Sequence, residues 1–491
     1  DVYKRQTSNN EGTRFVYGSQ SDWASVGFFA RINYSFKDRY LLELNGRYDG
    51  SSNFPLDQLW GFFPSGSIGW ILSEESFMHS LQPVLSFAKL RASIGSIGNP
   101  NIGADRFRAI MSSVSSGWSI NNVNMTTFGL PQTLAKGFTW ENIVTSDLGL
   151  DLRFLNGQLG ASFDVYKRVN DGMVVQGNEM PSVFGASAPY KNIGELTTKG
   201  WELALDFNHT FANQLKLRVN ANISDARTVI TKHPNRTKSL NGSNYEGRVL
   251  GEIWGFETDR FFTADDFNPD GTLKADIPDQ SRFLEYSGTS GIASYLPGDI
   301  KYKDLNGDKK IDSLDKTYEN GLYPEDPRLV YGFGLNLEWK GFFAGVFFQG
   351  VGQTSVNLLS SAGNFMPFHN GVDASSARME ALDRWQNNDP YNQNVLFPRV
   401  HATKFDHNAY GSTWWYRNGS FLRLKNVEFG YQFNKQMLRK ISMQNLRIYV
   451  QGTNLAVWDN IEYWDPELGG SNSGSKYPIC GTWTIGLEVT F

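Results

Sequence analysis

The chain has 491 residues, of which 40% are hydrophobic and 20% charged, and its formal net charge is only -4. This balance excludes a strongly basic nucleic-acid-binding surface and a disordered acidic chain. A single cysteine, Cys480, excludes a disulfide framework and a cysteine-based zinc site. No apolar run reaches the roughly 20 residues that a membrane-spanning helix requires, but transmembrane β-strands stay open because they alternate polar and apolar residues.

The length predicts about three domains at one domain per ~150 residues, unless the chain forms one large β-barrel. The first residue is Asp1, and the start shows neither an initiating Met nor a signal-peptide pattern. We therefore expect a mature piece or a fragment of a longer protein.

Alternation of polar and apolar residues fills most of the chain and indicates strands with one apolar and one polar face. Leu217 and Val219, for example, alternate with Arg218 and Asn220. Most such segments approach the ~9 to 11 residues of a tilted membrane-crossing strand. In chain order, roughly thirteen strands are predicted: 26–36, 39–50, 60–73, 87–97, 141–154, 157–169, 198–209, 213–224, 328–339, 341–352, 420–433, 444–455 and 481–491.

The links between these predicted strands differ in length at the two ends of the sheet. Links after odd-numbered strands are short or moderate, whereas most links after even-numbered strands are much longer: 98–140, 170–197, 225–327, 353–419 and 456–480, with 51–59 the modest one. An outer-membrane barrel has short periplasmic turns and long extracellular loops. The sequence therefore predicts an all-β fold, an antiparallel transmembrane β-barrel with long extracellular loops.

The last predicted strand, 481–491, alternates from Trp483 onward and stops at an aromatic residue, Phe491. This ending resembles the carboxy-terminal signal strand of outer-membrane barrel proteins, which implies that Phe491 is an assembly signal. An ordinary amphipathic edge strand is the alternative.

Short phrases spread along nearly the whole chain resemble one family, the SusC/RagA-type TonB-dependent transporters of the Gram-negative outer membrane. They are NIGE at 192–195, KGWEL at 199–203, GDIKYKDLNGD at 298–308, DPR at 326–328 with YG at 331–332, FFQG at 347–350, FPR at 397–399, FLRLKN at 421–426, RIYVQGTNL at 447–455 and DPE at 465–467. The resemblance implies a 22-stranded barrel with an amino-terminal plug, a SusD-like lipoprotein as lid, and TonB as the energy source. Residues 1–491 would then be the carboxy-terminal barrel portion, with the plug and the first strands outside this chain.

The function that this resemblance implies is active import of a bulky nutrient, a glycan or a peptide, across the outer membrane. It implies no enzyme activity, and no residue pattern singles out a catalytic group. Outer-membrane lipid is an expected partner and nucleic acid is not. Two alternatives stay open: a soluble or surface β-rich glycan-binding protein or hydrolase, and a passive porin or adhesin barrel.

One acidic loop has the spacing of a calcium-binding EF-hand loop. Its residues at positions 1, 3, 5, 7, 9 and 12 are Asp304, Asn306, Asp308, Lys310, Asp312 and Asp315. Lys309 at position 6, where a sharp turn prefers Gly, and a short Asp at position 12 weaken the match. We expect a weak structural Ca²⁺ site and a metal-free turn loop equally. The sequence predicts no other cofactor.

Aromatic residues of the long loops are candidates for contact with a substrate or a lid partner, because flat rings bury much area at low entropic cost. The alternatives are an interfacial aromatic girdle and the core of the loops. The candidates are Trp254, Trp385, Trp414, Trp415 and Trp464. The histidines His369, His401 and His407 show no zinc spacing and are expected at the solvated surface of their loop.

Overall fold

The computed structural model describes residues 22–101, 107–109, 111, 113–120, 123–131, 133–135, 137–178, 180–186, 188–235, 244–280, 295–361, 365–369, 377–402, 405–438 and 442–491. Thirteen long strands form one antiparallel sheet in which neighbours follow the order of the chain. The strands are β1 (Ser25–Phe36), β2 (Tyr40–Ser51), β3 (Trp60–Ile71), β4 (Leu85–Asn99), β7 (Glu141–Phe154), β8 (Leu159–Gln176), β9 (Tyr190–Thr210), β10 (Lys216–Lys232), β15 (Leu329–Trp339), β16 (Phe342–Gly352), β19 (Phe421–Gln432), β20 (Asn445–Asp459) and β21 (Thr482–Thr490). The thirteen predicted strands and their antiparallel arrangement are confirmed.

Eight shorter strands lie in the links at one end of the sheet and pair two by two. They are β5 (Ser113–Ile120) with β6 (Val123–Phe128), β11 (Gly255–Phe256) with β14 (Lys316–Thr317), β12 (Thr258–Phe261) with β13 (Ile300–Tyr302), and β17 (Ser355–Asn357) with β18 (Tyr416–Asn418). The described helical elements are short, for example the 3₁₀ turn Ser76–Leu81 and the α-helical turn Lys435–Leu438. Among these residues, no helix has the length and apolar character needed to cross a membrane.

Strand register gives the long sheet one apolar and one polar face. Cross-strand partners share a face, and Leu148 lies opposite Val165, which in turn lies opposite Trp201. On the other face, Asn208 lies opposite Arg218, which lies opposite Asn336. Since a slip of one residue would exchange the faces, the apolar pattern fixes the register.

Two bands of aromatic side chains border the apolar face. At the short-turn end, Tyr40 stacks near Trp70 with ring centroids 6.5 Å apart. Toward the long-loop end, Tyr48 stacks on Trp60 at 4.9 Å. Eight residues separate Tyr40 from Tyr48 along β2, about 26 Å at ~3.3 Å per residue. At the ~35–45° tilt of such strands this length rises about 20 Å, slightly less than the height of about 25 Å of the apolar band that aromatic girdles border.

The long strands extend further toward the long-loop end than the alternation predicts. β8 ends at Gln176 rather than at 169, β9 begins at Tyr190 rather than at 198, and β10 ends at Lys232 rather than at 224. The predicted 170–197 loop is therefore only 177–189. Alternation stops earlier than the strands because residues beyond the apolar band, such as Thr197 and Thr198, are polar on both faces.

Candidate functional site

Three long links at one end of the sheet pack together into a body that we call the cap, formed by the described residues of 244–328, 353–420 and 460–481. Its apolar core is separate from the long sheet, whose faces are largely exposed. Residues from the first two links bury their side chains together, and Tyr463 and Trp464 of the third pack against them. The buried members are Phe256, Phe261, Ile300, Tyr302, Ile311, Leu358, Leu359, Phe365, Met366, Trp385, Leu396, Phe397 and Trp415.

Trp415 and Trp385 belong to the buried core of the cap. Trp415 is 0% exposed, and its indole nitrogen donates to the carbonyl of Asn408 at 2.8 Å. The indole nitrogen of Trp385 donates to the carbonyl of Pro390 at 3.2 Å. The guanidinium of Arg399 lies 5.0 Å from the centre of the Trp385 ring. In this conformation these two rings stabilise the cap and offer no open face to a sugar.

Trp414 and Trp464 pack on the same core and are partly buried. The indole of Trp414 donates to Leu396 at 3.0 Å, and that of Trp464 donates to Gly469 at 2.8 Å. Trp254 is partly buried but is not part of this core. The structure thus brings four of the five candidate tryptophans together, as loop core rather than as an interfacial girdle.

A buried polar cluster joins two links of the cap. Asp299 is fully buried, and its Oδ1 accepts from Asn408 at 2.9 Å and lies 2.6 Å from Nε2 of His401. His407 is also fully buried, with Nε2 2.7 Å from the carbonyl of Ile300. Burial lowers the pKa of His407 to about 4, so the imidazole is neutral at pH 7. The expectation that His401 and His407 lie at the solvated surface is wrong. Both side chains lie inside the cap, where their Nε2 atoms contact Asp299 and the carbonyl of Ile300.

Several of the short sequence phrases meet in space where strands enter the cap. The backbone N–H of Arg399 in FPR donates to Gly298 in GDIKYKDLNGD at 2.7 Å. Arg423 in FLRLKN donates to Asp465 in DPE at 2.5 Å. Gly298 has a φ of +96°, and a Cβ there would lie 2.3 Å from the indole of Trp385. These contacts give the phrases a structural role, joining loops that are distant in the sequence.

The acidic loop is a series of turns in which side-chain oxygens accept backbone N–H groups. Asp304 accepts from Gly307 at 2.7 Å and from Lys309 at 2.8 Å, and Asp308 accepts from Lys310 at 2.8 Å. Lys309 has a φ of +62°, the left-handed conformation for which an EF-hand uses Gly.

Three further predicted ligands of this loop, Asn306, Asp312 and Asp315, also accept backbone N–H groups. Asn306 accepts from Asp308, Asp312 from Leu314, and buried Asp315 from Asp312. Within the described part of the chain, no group of three or more His, Cys, Asp or Glu side chains is placed to hold a metal ion. The turn loop is what the structure shows, and calcium binding stays a prediction.

The polar face of the long sheet carries ion pairs between neighbouring strands. Arg91 lies 2.7 Å from Asp164, 3.0 Å from Asp151 and 3.5 Å from Asp147. A single guanidinium thus compensates three carboxylates on β7 and β8 and lies partly buried among them. This face is wetted and charged, as the inner wall of a transport barrel would be.

Phe491 follows directly after β21, and its side chain is largely exposed. The strand pairs with β20 along its whole length, from Thr482 opposite Thr453 to Thr490 opposite Asn445. Its apolar residues continue the apolar face of the sheet, and Leu487 lies opposite Ile448. This position is compatible with the predicted role of Phe491, which stays a prediction.

Comparison with known proteins identifies relatives along nearly the whole chain. The family model described as "TonB dependent receptor-like, beta-barrel" matches residues 1–455. TonB-dependent receptor P26 of Formosa agariphila is 29% identical over 508 residues, covering 99% of this chain and 48% of that protein. TonB-dependent receptor SusC of Bacteroides thetaiotaomicron is 26% identical over 478 residues, covering 95% of this chain and 44% of SusC.

Solved structures show the same fold. A chain of the RagAB peptide transporter superposes with a TM-score of 0.75 at 19% identity, covering 99% of this chain and 49% of that chain. A second RagAB structure, of the peptide importer in an "open-open" state, gives 0.76 at 20% identity, covering 99% and 48%. The chain spans about half the length of the relatives that it matches.

Proposed function

Because the chain belongs to the TonB dependent receptor-like β-barrel family, we propose that it forms the carboxy-terminal barrel portion of an active SusC/RagA-like importer. Members of this family are outer-membrane receptors and transporters and not enzymes, so the chain is placed in the outer membrane of a Gram-negative bacterium. The observation that carries the proposal is the thirteen-stranded sheet with one continuous apolar face and a folded cap at one end.

The rest of the barrel and the plug lie upstream in this proposal. Closing thirteen strands into a barrel would pair the first and last strands in parallel, whereas bacterial single-chain barrels have an even number of antiparallel strands. Nine further strands would complete a 22-stranded barrel. An amino-terminal plug would fill the lumen and would receive the pull of TonB.

The cargo in this proposal is a bulky nutrient, a glycan or a peptide, held between the cap and a SusD-like lipoprotein lid. Similarity to SusC supports a SusC-like system, and the fold shared with the RagAB peptide transporter is compatible with peptide cargo. Charged side chains on the inner face, such as Arg91 and Asp164, would give a polar cargo a hydrated inner wall to pass along.

The five loop tryptophans act in this proposal by holding the cap in the shape that meets cargo or lid. Trp415→Phe should preserve import, because an aromatic ring still fills the core. Trp415→Ala should lower it, since truncating a buried tryptophan costs about 3–5 kcal/mol. If Trp415→Ala left both import and protease resistance of the cap unchanged, the cap would not need this ring.

The deciding experiment compares uptake of labelled oligosaccharides and peptides by cells with and without the gene at its natural length. Import that requires both the gene and TonB supports the proposal. Uptake that persists without TonB would indicate a passive porin. Recovery of the protein in the aqueous fraction rather than in the outer membrane would indicate a soluble β-rich protein instead.

Phe491 is proposed as the residue that the barrel-assembly machinery recognises. Deleting Phe491 from the protein at its natural length should reduce its level in the outer membrane while synthesis continues. Deleting Lys476, a residue of the last link, serves as the control for loss of one residue. Unchanged outer-membrane abundance without Phe491 would contradict the assignment.

A further inference from the structure

Three cationic side chains lie in one row across the outward face of β8, β9 and β10. Lys167 lies directly opposite Lys199, and Lys199 lies directly opposite Arg227. All three residues are exposed. Adjacent strands are about 4.8 Å apart, so the row spans roughly 10 Å.

The three residues share a face with the apolar band and not with the lumen. Lys167 is two residues from Val165, and Lys199 is two residues from Trp201. Val165 and Trp201 lie opposite one another in the apolar face. Because side chains two apart on a strand point to the same side, the row faces outward. It lies about 7 Å beyond Trp201 along the strand, toward the long-loop end. Tryptophan marks the membrane interface, so this level is that of the lipid headgroups in the outer leaflet.

No carboxylate compensates this row in the described part of the chain, where no ion pair involves Lys167, Lys199 or Arg227. The acidic residues next to the row on the same face already have partners. Asp225 pairs with Arg328 at 3.0 Å. Further out, Asp171 pairs with Lys232 at 3.2 Å, and Glu195 pairs with the same lysine.

Like charges directly opposite one another on neighbouring strands destabilise a sheet. Cations of the polar face are compensated by carboxylates on neighbouring strands: Arg153 pairs with Asp206 at 2.6 Å, and Lys216 pairs with Glu338 at 3.1 Å. Among the described residues, no carboxylate forms an ion pair with a cation of the outward row. An anion from outside the chain would relieve the repulsion.

We propose that Lys167, Lys199 and Arg227 bind the phosphate group of an outer-leaflet lipid. Lysine and arginine are the side chains that recognise phosphate, arginine through its planar fork and lysine as a compact charge. A lipid is the occupant because the row continues the apolar face directly, so a headgroup bound there leaves its acyl chains against Val165 and Trp201. This site is distinct from the import route on the opposite face of the sheet.

The test is native mass spectrometry of the protein at its natural length, titrated with lipid A, phosphatidylglycerol or zwitterionic phosphatidylcholine. Removing one cation near an anionic headgroup should weaken binding about fivefold, and removing all three roughly a hundredfold. We expect this loss for Lys167→Gln and for the triple variant with Lys199→Gln and Arg227→Gln. The matched control is Arg168→Gln, which removes the next cation of β8 on the opposite face and should leave lipid binding unchanged.

The lipid arms distinguish the source of the phosphate. An effect on lipid A alone identifies a sugar-borne phosphate, an effect on phosphatidylglycerol alone identifies a phospholipid, and an effect on both shows that an anionic phosphate suffices. Equal losses for Lys167→Gln and Arg168→Gln, or no loss in the triple variant, would overturn the proposal. So would a change of oligomeric state in the triple variant with unchanged lipid binding, which would show a contact between two copies.

Thermal unfolding without added lipid provides the folding control. Because the triple variant removes like-charge neighbours, it should unfold at the same temperature as the parent or higher. Added lipid A or phosphatidylglycerol, whichever binds, should then raise the unfolding temperature of the parent more than that of the variant. A triple variant that unfolds earlier without lipid would contradict the repulsion on which the proposal depends.

Discussion

The guanidinium of Arg423 donates to the carboxylate of Asp465 at 2.5 Å and ties the cap end of β19 to the last long link. Glu467 accepts a second hydrogen bond from Arg423 at 2.8 Å. Only 2% of the Arg423 side chain is exposed, so solvent screens these pairs little. The entry of β19 into the cap therefore depends on one buried cation.

Arg423→Met should destabilise the attachment of the last link by about 3–5 kcal/mol, because it leaves Asp465 without a cation and removes the nearer cation of Glu467. Cleavage of the 460–481 segment by added protease should accelerate accordingly. Lys425→Met is the control, since Lys425 is more exposed and contacts Glu467 at 3.4 Å. Such pairs contribute about 0–1 kcal/mol. Equal cleavage rates in the two variants would show that the buried pair is not what holds the link.

Neighbouring residues of β10 should respond oppositely to exchange of polarity. Leu217 lies opposite Leu337 in the apolar face, whereas Arg218 lies opposite Asn336 in the polar face. Leu217 is the second residue of β10 and lies at the short-turn edge of the apolar face, so Leu217→Arg should cost up to about 1 kcal/mol rather than the about 2–4 kcal/mol of a midplane position. Arg218→Leu should be nearly neutral for assembly, since its pair with Glu338 is 3.7 Å long and exposed.

Heat-modifiability gels measure the folded fraction of these two variants in outer-membrane extracts. We expect a reduced folded band for Leu217→Arg and a band equal to that of the parent for Arg218→Leu. Val219→Ile, a change within the apolar face, controls for substitution on this strand. Equal folded yields of the first two variants would contradict the assignment of faces.

The barrel strands could be predicted from the sequence because membrane and lumen impose opposite polarity on adjacent residues. Leu217 and Arg218 differ for that reason alone, and the same rule identified every strand of the long sheet. The rule ends where the strand leaves the bilayer. Thr198 and Thr228, whose hydroxyls are 2.8 Å apart across β9 and β10, continue the ladder beyond the alternating segment.

The cap could not be predicted in the same way because its contacts join residues that are distant in the sequence. Asp299 and Asn408 form a hydrogen bond in the interior, yet neither residue is part of a local periodic pattern. Trp415 showed the same ambiguity, since a tryptophan in a loop fits a core, a girdle or a binding surface equally well. Only the packing around it, with 0% exposure, selects the core.

The cap should lose stability as the pH falls, because His407 is buried in its neutral form. Burial lowers its pKa to about 4, against about 6.5 in an unfolded chain. Above pH 6.5 neither state binds the proton, so His407 does not change the free energy of unfolding. Between pH 6.5 and 4 the unfolded chain binds a proton that the folded cap does not. The free energy of unfolding should therefore fall, by about 3 kcal/mol at most.

Proteolysis of the cap between pH 7 and pH 4.5 measures this loss. His407→Gln should flatten the pH dependence, because an amide N–H can still donate to the carbonyl of Ile300 and does not titrate. Asp299 and His401 lie near His407 and are present in both proteins, so the difference between the two profiles isolates His407. Identical profiles for parent and variant would show that the proton on His407 does not control cap stability.

The acidic loop should resist protease better in calcium if Asp304, Asp308 and the other predicted ligands bind the ion. A cation that binds only the folded loop stabilises it by mass action, so protection should grow with calcium concentration. With Lys309 in the turn, we expect an affinity of about 0.1–1 mM, as in extracellular modules. Asp304→Ala combined with Asp308→Ala should abolish the calcium effect.

Lys309→Gly separates loop strain from calcium binding. Lys309 has a φ of +62°, so glycine at this position should stabilise the loop by up to about 1 kcal/mol even without calcium. It should also tighten calcium binding, because it supplies the glycine that an EF-hand turn prefers and removes a positive charge. Cleavage between Gly298 and Asp315 should then slow at lower calcium concentrations in Lys309→Gly than in the parent. If several millimolar calcium protects neither protein while Lys309→Gly alone slows cleavage, the loop is a strained acidic turn that binds no metal.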